Sequence, residues 1–150
     1  MTGFVSRYTN RIDRKGRVSV PASYRQVLAR DGFEGLYCYP SLDMQAVDAG
    51  GQGLLGEIDR HLSRFEPFTE EHDYLSTAFY GLSERLTMDA EGRIGLTPAL
   101  IDCTGITSEA TFVGQGYKFQ IWEPSRYREH EAEARKRAQA LRRGPRGEGQ

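Results

Sequence analysis

The apolar positions of this chain switch between a period of two and a period of about 3.6, and the switches come in the same order twice. Phe4-Val5-Ser6-Arg7-Tyr8 alternates weakly and predicts a first strand. Arg14-Lys15-Gly16 predicts a turn, with Gly16 free to take a backbone conformation that other residues resist. Val18-Ser19-Val20 alternates again, as a strand with one buried face does. Pro21 stops that strand and suits the first turn of a helix. Tyr24, Val27 and Leu28 carry the helical spacing, and Gly32 ends it. Leu36-Tyr37-Cys38-Tyr39 predicts a short apolar strand, and Pro40-Ser41-Leu42-Asp43 a turn. Met44-Gln45-Ala46-Val47 predicts the returning strand, which Asp48-Ala49-Gly50-Gly51 breaks.

Leu54, Leu55, Ile58, Leu62 and Phe65 share one face of a helix. Pro67 separates a second helical piece. Thr69 can cap it, Glu70 and Glu71 suit its positive N-terminal end, and Leu75, Ala78 and Phe79 form its stripe. Leu82 to Met88 predicts a strand, Ile94-Gly95-Leu96 another, and a short helix ends near Gly105. Thr111-Phe112-Val113, the turn Gly114-Gln115-Gly116 and Tyr117 to Trp122 then make a hairpin. Pro124 opens a last helix, with Glu131–Arg135 and Glu133–Arg137 pairs one turn apart in the order that suits its dipole. Its apolar face (Tyr127, Ala134, Ala138, Leu141) is thin. The Gly, Pro, Arg and Gln from Arg142 onward predict a loose tail.

These patterns contain an internal repeat. Ile12-Asp13-Arg14-Lys15-Gly16-Arg17-Val18-Ser19-Val20-Pro21 returns as Met88-Asp89-Ala90-Glu91-Gly92-Arg93-Ile94-Gly95-Leu96-Thr97-Pro98. Val18-Ser19-Val20 matches Ile94-Gly95-Leu96 at an offset of 76, and Met44 to Asp48 matches Phe119 to Glu123 at 75. A repeat fixes architecture before any single motif does. We expect an α+β, mainly β chain: a first unit over 4–50, a helical connector over 51–81, a second unit over 82–126, and a C-terminal helix with a basic tail over 127–150. Units of roughly 45 residues bury little surface alone, so each should lean on the other or on another subunit.

The net charge of -1 hides a segregated distribution. Residues 1–30 hold seven Lys and Arg against one acid, residues 31–123 hold five against sixteen, and residues 124–150 hold eight against four. A basic end on an acidic body aims a positive face at a polyanion while opposing indiscriminate coating of nucleic acid. No apolar run approaches the roughly 18 residues of a membrane span, and Met1 is not followed by a basic patch and an apolar signal core. The expectation is a cytoplasmic protein without a membrane partner.

The first Asp-x-x-x-Arg turn is the strongest candidate for function. Arg7, Arg11, Arg14, Lys15 and Arg17 put five cations within eleven residues. Arginine reads guanine in the major groove through two parallel hydrogen bonds, while other cations hold phosphate and position the unit. Asp13 and Arg17 can also pair simply to staple the turn. We expect both roles: Asp13 and Asp89, with Gly16 and Gly92, shape the turns, and Arg17 contacts DNA. The second turn has Ala90-Glu91 in place of Arg14-Lys15, so it should contribute less to affinity. Arg93 either reaches DNA or only shapes its turn.

Other signals are weaker. Gly51-Gln52-Gly53-Leu54-Leu55-Gly56 fits G-x-G-x-x-G and opens a helix, but a dinucleotide fold needs a buried parallel strand before it and another after the helix. A nucleotide-dependent enzyme using Gly51 to Gly56 is therefore the rival reading, and a flexible connector the better one. His61, His72 and His130 fit no metal spacing and read as solvated surface residues. Cys38 and Cys103 read as small buried residues. The strand aromatics Tyr37, Tyr39, Phe112, Tyr117, Phe119 and Trp122 read as core or subunit interface. No catalytic constellation, cofactor, metal or small-molecule ligand is expected.

The stretch from Asn10 to Pro21 followed by Tyr24-Arg25 resembles the start of the MraZ transcriptional regulators. Asp89-Ala90-Glu91-Gly92-Arg93-Ile94 and the strand from Phe119 to Glu123 resemble their second half, and the likeness covers about residues 4 to 135. The resemblance implies two SpoVT-AbrB-like units, each a β-barrel of swapped-hairpin type, interlocked within one chain. It implies a homo-oligomer of ring form, on the nucleoid in the cytoplasm. It further implies binding to spaced direct repeats of double-stranded promoter DNA upstream of the division and cell-wall operon encoding the protein, with repression as the usual outcome. The residues it points to are Asp13, Arg17, Asp89 and Arg93, with Arg14 and Lys15 beside them. Thr97 departs from the pattern, standing where the family usually has the first Pro of the second copy. An antitoxin-like protein-binding module is the milder rival.

Overall fold

The structure, a computed structural model, describes residues 3–148. Its strands and helices alternate along the chain: β1 (Arg7–Arg11), β2 (Arg17–Ser19), α1 (Ala22–Arg30), β3 (Leu36–Pro40), β4 (Val47–Gly50), α2 (Gln52–Leu62), α3 (Glu70–Ser76, continued by a π-helical turn Thr77–Gly81), β5 (Glu84–Leu86), β6 (Arg93–Gly95), α4 (Pro98–Thr104), β7 (Glu109–Gly114), β8 (Phe119–Trp122) and α5 (Pro124–Glu148).

The chain is an α+β fold on an open antiparallel sheet. Six strands run in the order β1-β7-β8-β4-β3-β5, and β2 pairs with β6 in a separate ribbon. Exchanging each strand with its counterpart in the repeat leaves this order the same, read from the other end. The two halves of the chain are interleaved, since β1 pairs with β7, β3 with β5 and β4 with β8. In the ribbon Val18 stands opposite Ile94, its own counterpart in the repeat, and both are buried. Strand pairing does not close a barrel: β1 and β5 remain as edges. The ribbon strands have three residues each before Pro21 and Pro98 end the donor row.

Between sheet and helices lies one core. Phe4, Tyr24, Phe112 and Phe119 form an aromatic cluster, with ring centroids 4.8 Å apart for Phe4–Phe119 and 4.9 Å for Tyr24–Phe119. Leu28, Leu36, Leu54, Leu100 and Ile121 surround it, each at most 1% exposed. Tyr37, Tyr39 and Trp122 are buried as expected of core aromatics, while Tyr117 is exposed.

Several elements differ from the sequence expectation. The first strand begins at Arg7 because Ser6 takes φ 67° and interrupts it, leaving Phe4 in a lone bridge to Gly116. β4 begins at Val47, and the residues expected to break a strand form it. Asp48 is tolerated there because its carboxylate accepts from Lys118 Nζ at 3.0 Å and Gln120 Nε2 at 2.8 Å. Val47, not Met44, is thus the counterpart of Phe119 at the start of β8. The last helix runs on to Glu148 where composition predicts a loose tail. Residues 149–150 of that tail lie outside the described residues. The histidines are half-buried and packed: His130 stacks on Trp122 at 4.5 Å, and His61 meets Phe79 edge-on at 6.1 Å.

Candidate nucleic-acid interface

Each Asp-x-x-x-Arg segment folds into a turn around its aspartate. Asp13 Oδ1 accepts from the backbone N–H of Lys15 and of Arg17, both at 2.9 Å, and Oδ2 accepts from Arg17 Nε at 2.9 Å. Asp89 does the same with Glu91 N at 2.9 Å, Arg93 N at 3.0 Å and Arg93 Nε at 2.8 Å. Only a short side chain with two acceptor oxygens fills such a turn while gripping the arginine. Gly16 and Gly92 both sit at φ +80°, the left-handed conformation that lets the chain reverse.

The ribbon brings the two turns into one ionic cluster. Arg17 NH1 lies 3.8 Å from Asp89 Oδ2, and Arg93 NH1 lies 3.8 Å from Asp13 Oδ2. Each guanidinium is thus shared between its own aspartate and that of the other copy. The backbone N–H of Arg17 is the largest influence holding the Asp13 carboxyl below the usual aspartate range, and Arg93 N–H does the same for Asp89. Asp89 in turn holds the Arg93 guanidinium charged, above its ordinary value. Both carboxylates are therefore ionised at neutral pH, and the cluster is self-neutralised.

What the turns present outward is different. Arg14 and Lys15 are exposed at the first turn, and Ala90 and Glu91 at the second, at the opposite end of the ribbon. No carboxylate pairs with Arg14 or Lys15 among the described residues, whereas Glu91 Oε1 accepts from Arg93 NH2 at 2.7 Å. The first turn offers a bare positive tip; at the second, a carboxylate covers the arginine. Arg11 is exposed at the end of β1, and Arg7, also exposed, pairs with Glu131 of α5 at 3.2 Å. The five cations of the first segment therefore do not form one uniform set. Arg14, Lys15 and Arg11 face outward unpaired, Arg7 is shared with α5, and Arg17 is half-buried in the cluster.

Asn10 and Arg25, which sequence alone places only within the resembling stretch, and Thr97, which departs from it, each have a structural role. Asn10 Nδ2 donates to Ser19 O at 2.8 Å and ties β1 to the ribbon. Arg25 Nε donates to Val20 O at 3.1 Å and lies against Gly92. Thr97 caps α4, accepting from Leu100 N at 3.4 Å, with Pro98 in the first turn behind it. A Thr-Pro pair before an apolar run is a start signal for a helix, so that departure was readable from sequence.

The Gly51–Gly56 segment forms no dinucleotide site. The strand before it, β4, pairs antiparallel with both β3 and β8, and α2 is followed by α3 rather than by a strand. Among the described residues no group of three or more His, Cys, Asp or Glu side chains could hold a metal ion, and no helix is long and apolar enough to cross a membrane.

Known proteins share this sequence nearly end to end. It is 61% identical over 142 residues to the transcriptional regulator MraZ of Beijerinckia indica, covering 95% of this chain and 87% of that protein. The regulator of the same name from Methylocella silvestris is 58% identical over 95% of this chain and 87% of its own length. That of Azorhizobium caulinodans is 51% identical, over 95% and 91%. The family model described as "MraZ protein, putative antitoxin-like" matches residues 79–144. The chain belongs to the MraZ family. MraZ relatives carry the name of transcriptional regulators, not of enzymes, so the rival reading as a nucleotide-dependent enzyme falls with its glycine loop.

Proposed function

We propose that this chain is a sequence-specific, double-stranded-DNA-binding transcriptional regulator that represses the operon encoding it. The observation that carries the reading is the exposed, unpaired Arg14–Lys15 tip, held by Asp13 and set on a chain whose middle, residues 31–123, is acidic. A positive tip held in shape fits a duplex groove, and the acidic excess of residues 31–123 opposes indiscriminate binding. Arg14, Lys15 and Arg11 contact DNA directly. Arg17 presents its outer edge to a base while its Nε edge stays with Asp13, and Arg7 adds a phosphate contact; Arg93, held by Glu91, adds a weaker one. Asp13, Gly16, Asp89 and Gly92 shape the turns.

One tip per protomer binds weakly. A homo-oligomer, of ring form, sets several tips along one duplex and raises their effective concentration at spaced direct repeats. The protein acts in the cytoplasm on the nucleoid, without a cofactor or small-molecule ligand. Its two SpoVT-AbrB-like units, 4–50 and 82–126, act as one reading head across the ribbon. The test is a gel shift over the region upstream of its own coding sequence, with duplexes holding one repeat and several. Arg14→Ala and Lys15→Ala are the controls, because Arg17→Ala would also unclip Asp13. Strong binding to several repeats, weak binding to one and loss in both variants is the expected result. Equal binding to one and several, or no shift, sinks the reading; the second outcome favours the rival reading as a protein-binding module, for a family whose model is described as antitoxin-like.

A further inference from the structure

The two turns are not equally open. A Cβ built on Gly16 would meet nothing within 4 Å, whereas one built on Gly92 would lie 2.6 Å from Arg25 Cδ and Nε and 2.7 Å from Cζ. The Arg25 side chain therefore lies flat on the second turn. Val20 fixes it there: its N–H donates to Gly92 O at 2.9 Å, and its carbonyl accepts from Arg25 Nε at 3.1 Å. At the first turn the matching backbone bond exists, from Leu96 N to Gly16 O at 3.3 Å. The residue matching Arg25 in the repeat is Ile101, whose side chain can neither donate to a carbonyl nor carry charge. Arg25 is half-buried, and no carboxylate pairs with its guanidinium among the described residues.

We propose that Arg25 is the phosphate-binding cation of the second turn, lent by the helix of the first half to a turn whose own tip carries Ala90 and Glu91. The first turn carries its cations in its own sequence; the second receives one across the interleave. Gly92 is then required twice, for its left-handed backbone and for the seat it leaves open to the guanidinium. Both ends of the ribbon can in this way hold a phosphate. This inference rests on the DNA-binding reading above.

Arg25→Gln and Arg25→Met remove the charge in two shapes, and Arg25→Lys keeps it. Each full-length protein is titrated with the upstream duplex and with an unrelated duplex across a salt series, and thermal unfolding and circular dichroism check the fold. A phosphate contact contributes about 0.9 to the slope of log affinity against log salt, or about eightfold in affinity near 0.1 M salt. The neutral variants should lose about that slope per protomer on both duplexes, and Arg25→Lys should keep it. Folded neutral variants with the parental slope overturn the proposal. So does equal loss in Arg25→Lys, which would assign Arg25 to turn shape alone, and this arm decides the matter if the neutral variants fail to fold. If the parent binds no duplex, the DNA-binding reading itself has failed; if Arg14→Ala lowers the slope and the Arg25 variants do not, only this inference has.

Discussion

Replacing Glu91 with glutamine changes one charge at the tip of the second turn and nearly nothing else. Glu91 is 72% exposed at its side chain and bonds Arg93 NH2 at 2.7 Å, while Arg93 keeps its Nε bond to Asp89 at 2.8 Å. The turn should survive, because the Asp89 oxygens and not Glu91 hold its backbone. What changes is the outward field: a carboxylate that repels phosphate is gone, and the glutamine oxygen that replaces it holds the Arg93 N–H less strongly. If that N–H then reaches a phosphate, counterion release steepens the salt slope by about 0.9 per protomer, which is about eightfold tighter binding near 0.1 M salt. Loss of repulsion alone gives a smaller gain of the same sign. The assay is fluorescence anisotropy with a labelled upstream duplex between about 50 and 200 mM salt. Circular dichroism should show an unchanged fold. Weaker binding by Glu91→Gln at unchanged fold would refute the argument, since it would make Glu91 a contact rather than a shield.

Gly16→Ala should cost about 1 kcal/mol for left-handed strain alone, and Gly92→Ala somewhat more, because its Cβ also moves the flexible end of Arg25 and its bond to Val20 O; paired chemical denaturation curves give the comparison. The Asp13 and Asp89 carboxyls titrate below their ordinary range in the folded chain, so they contribute stability that is present above about pH 4 and lost as pH falls through their folded values. Thermal unfolding from pH 7 to pH 3 should therefore show a steeper acid decline in the parent than in Asp13→Asn with Asp89→Asn. Burial pushes the Cys38 thiol up to about 12, so maleimide near pH 8 should leave it unlabelled until the chain unfolds; rapid labelling of the native protein would contradict the packing. Ile94→Ala, at a wholly buried ribbon position opposite Val18, should cost about 2–5 kcal/mol by calorimetry.

The duplicated Asp-x-x-x-Arg turn, its glycine and the alternating strand behind it were legible in the sequence, because each rests on local chemistry. An aspartate folds back on its own next few N–H groups, a glycine takes the left-handed turn, and proline ends the strand. The interleaving was expected only from resemblance, since no local pattern states which strand pairs with which. Asp48 marks the limit most plainly: read alone, Asp48-Ala49-Gly50-Gly51 breaks a strand, yet Lys118 and Gln120 satisfy the carboxylate and Gly50 gives Leu54 room against it. Arg17 shifts for the same reason. Its spacing from Asp13 foretold the pair, but only the ribbon brings Asp89 within 3.8 Å and turns two staples into one cluster.

The sequence by itself determined which residues could turn, alternate and carry charge, because those properties belong to side chains and their nearest neighbours. Tertiary structure alone decided which of those charges remain free. Arg14 and Lys15 point into solvent, Arg7 meets Glu131, Arg93 is covered by Glu91 and Arg25 lies on Gly92. A cation's availability depends on what the rest of the chain brings within a few ångströms of it, and that distance is not written in its own stretch of sequence.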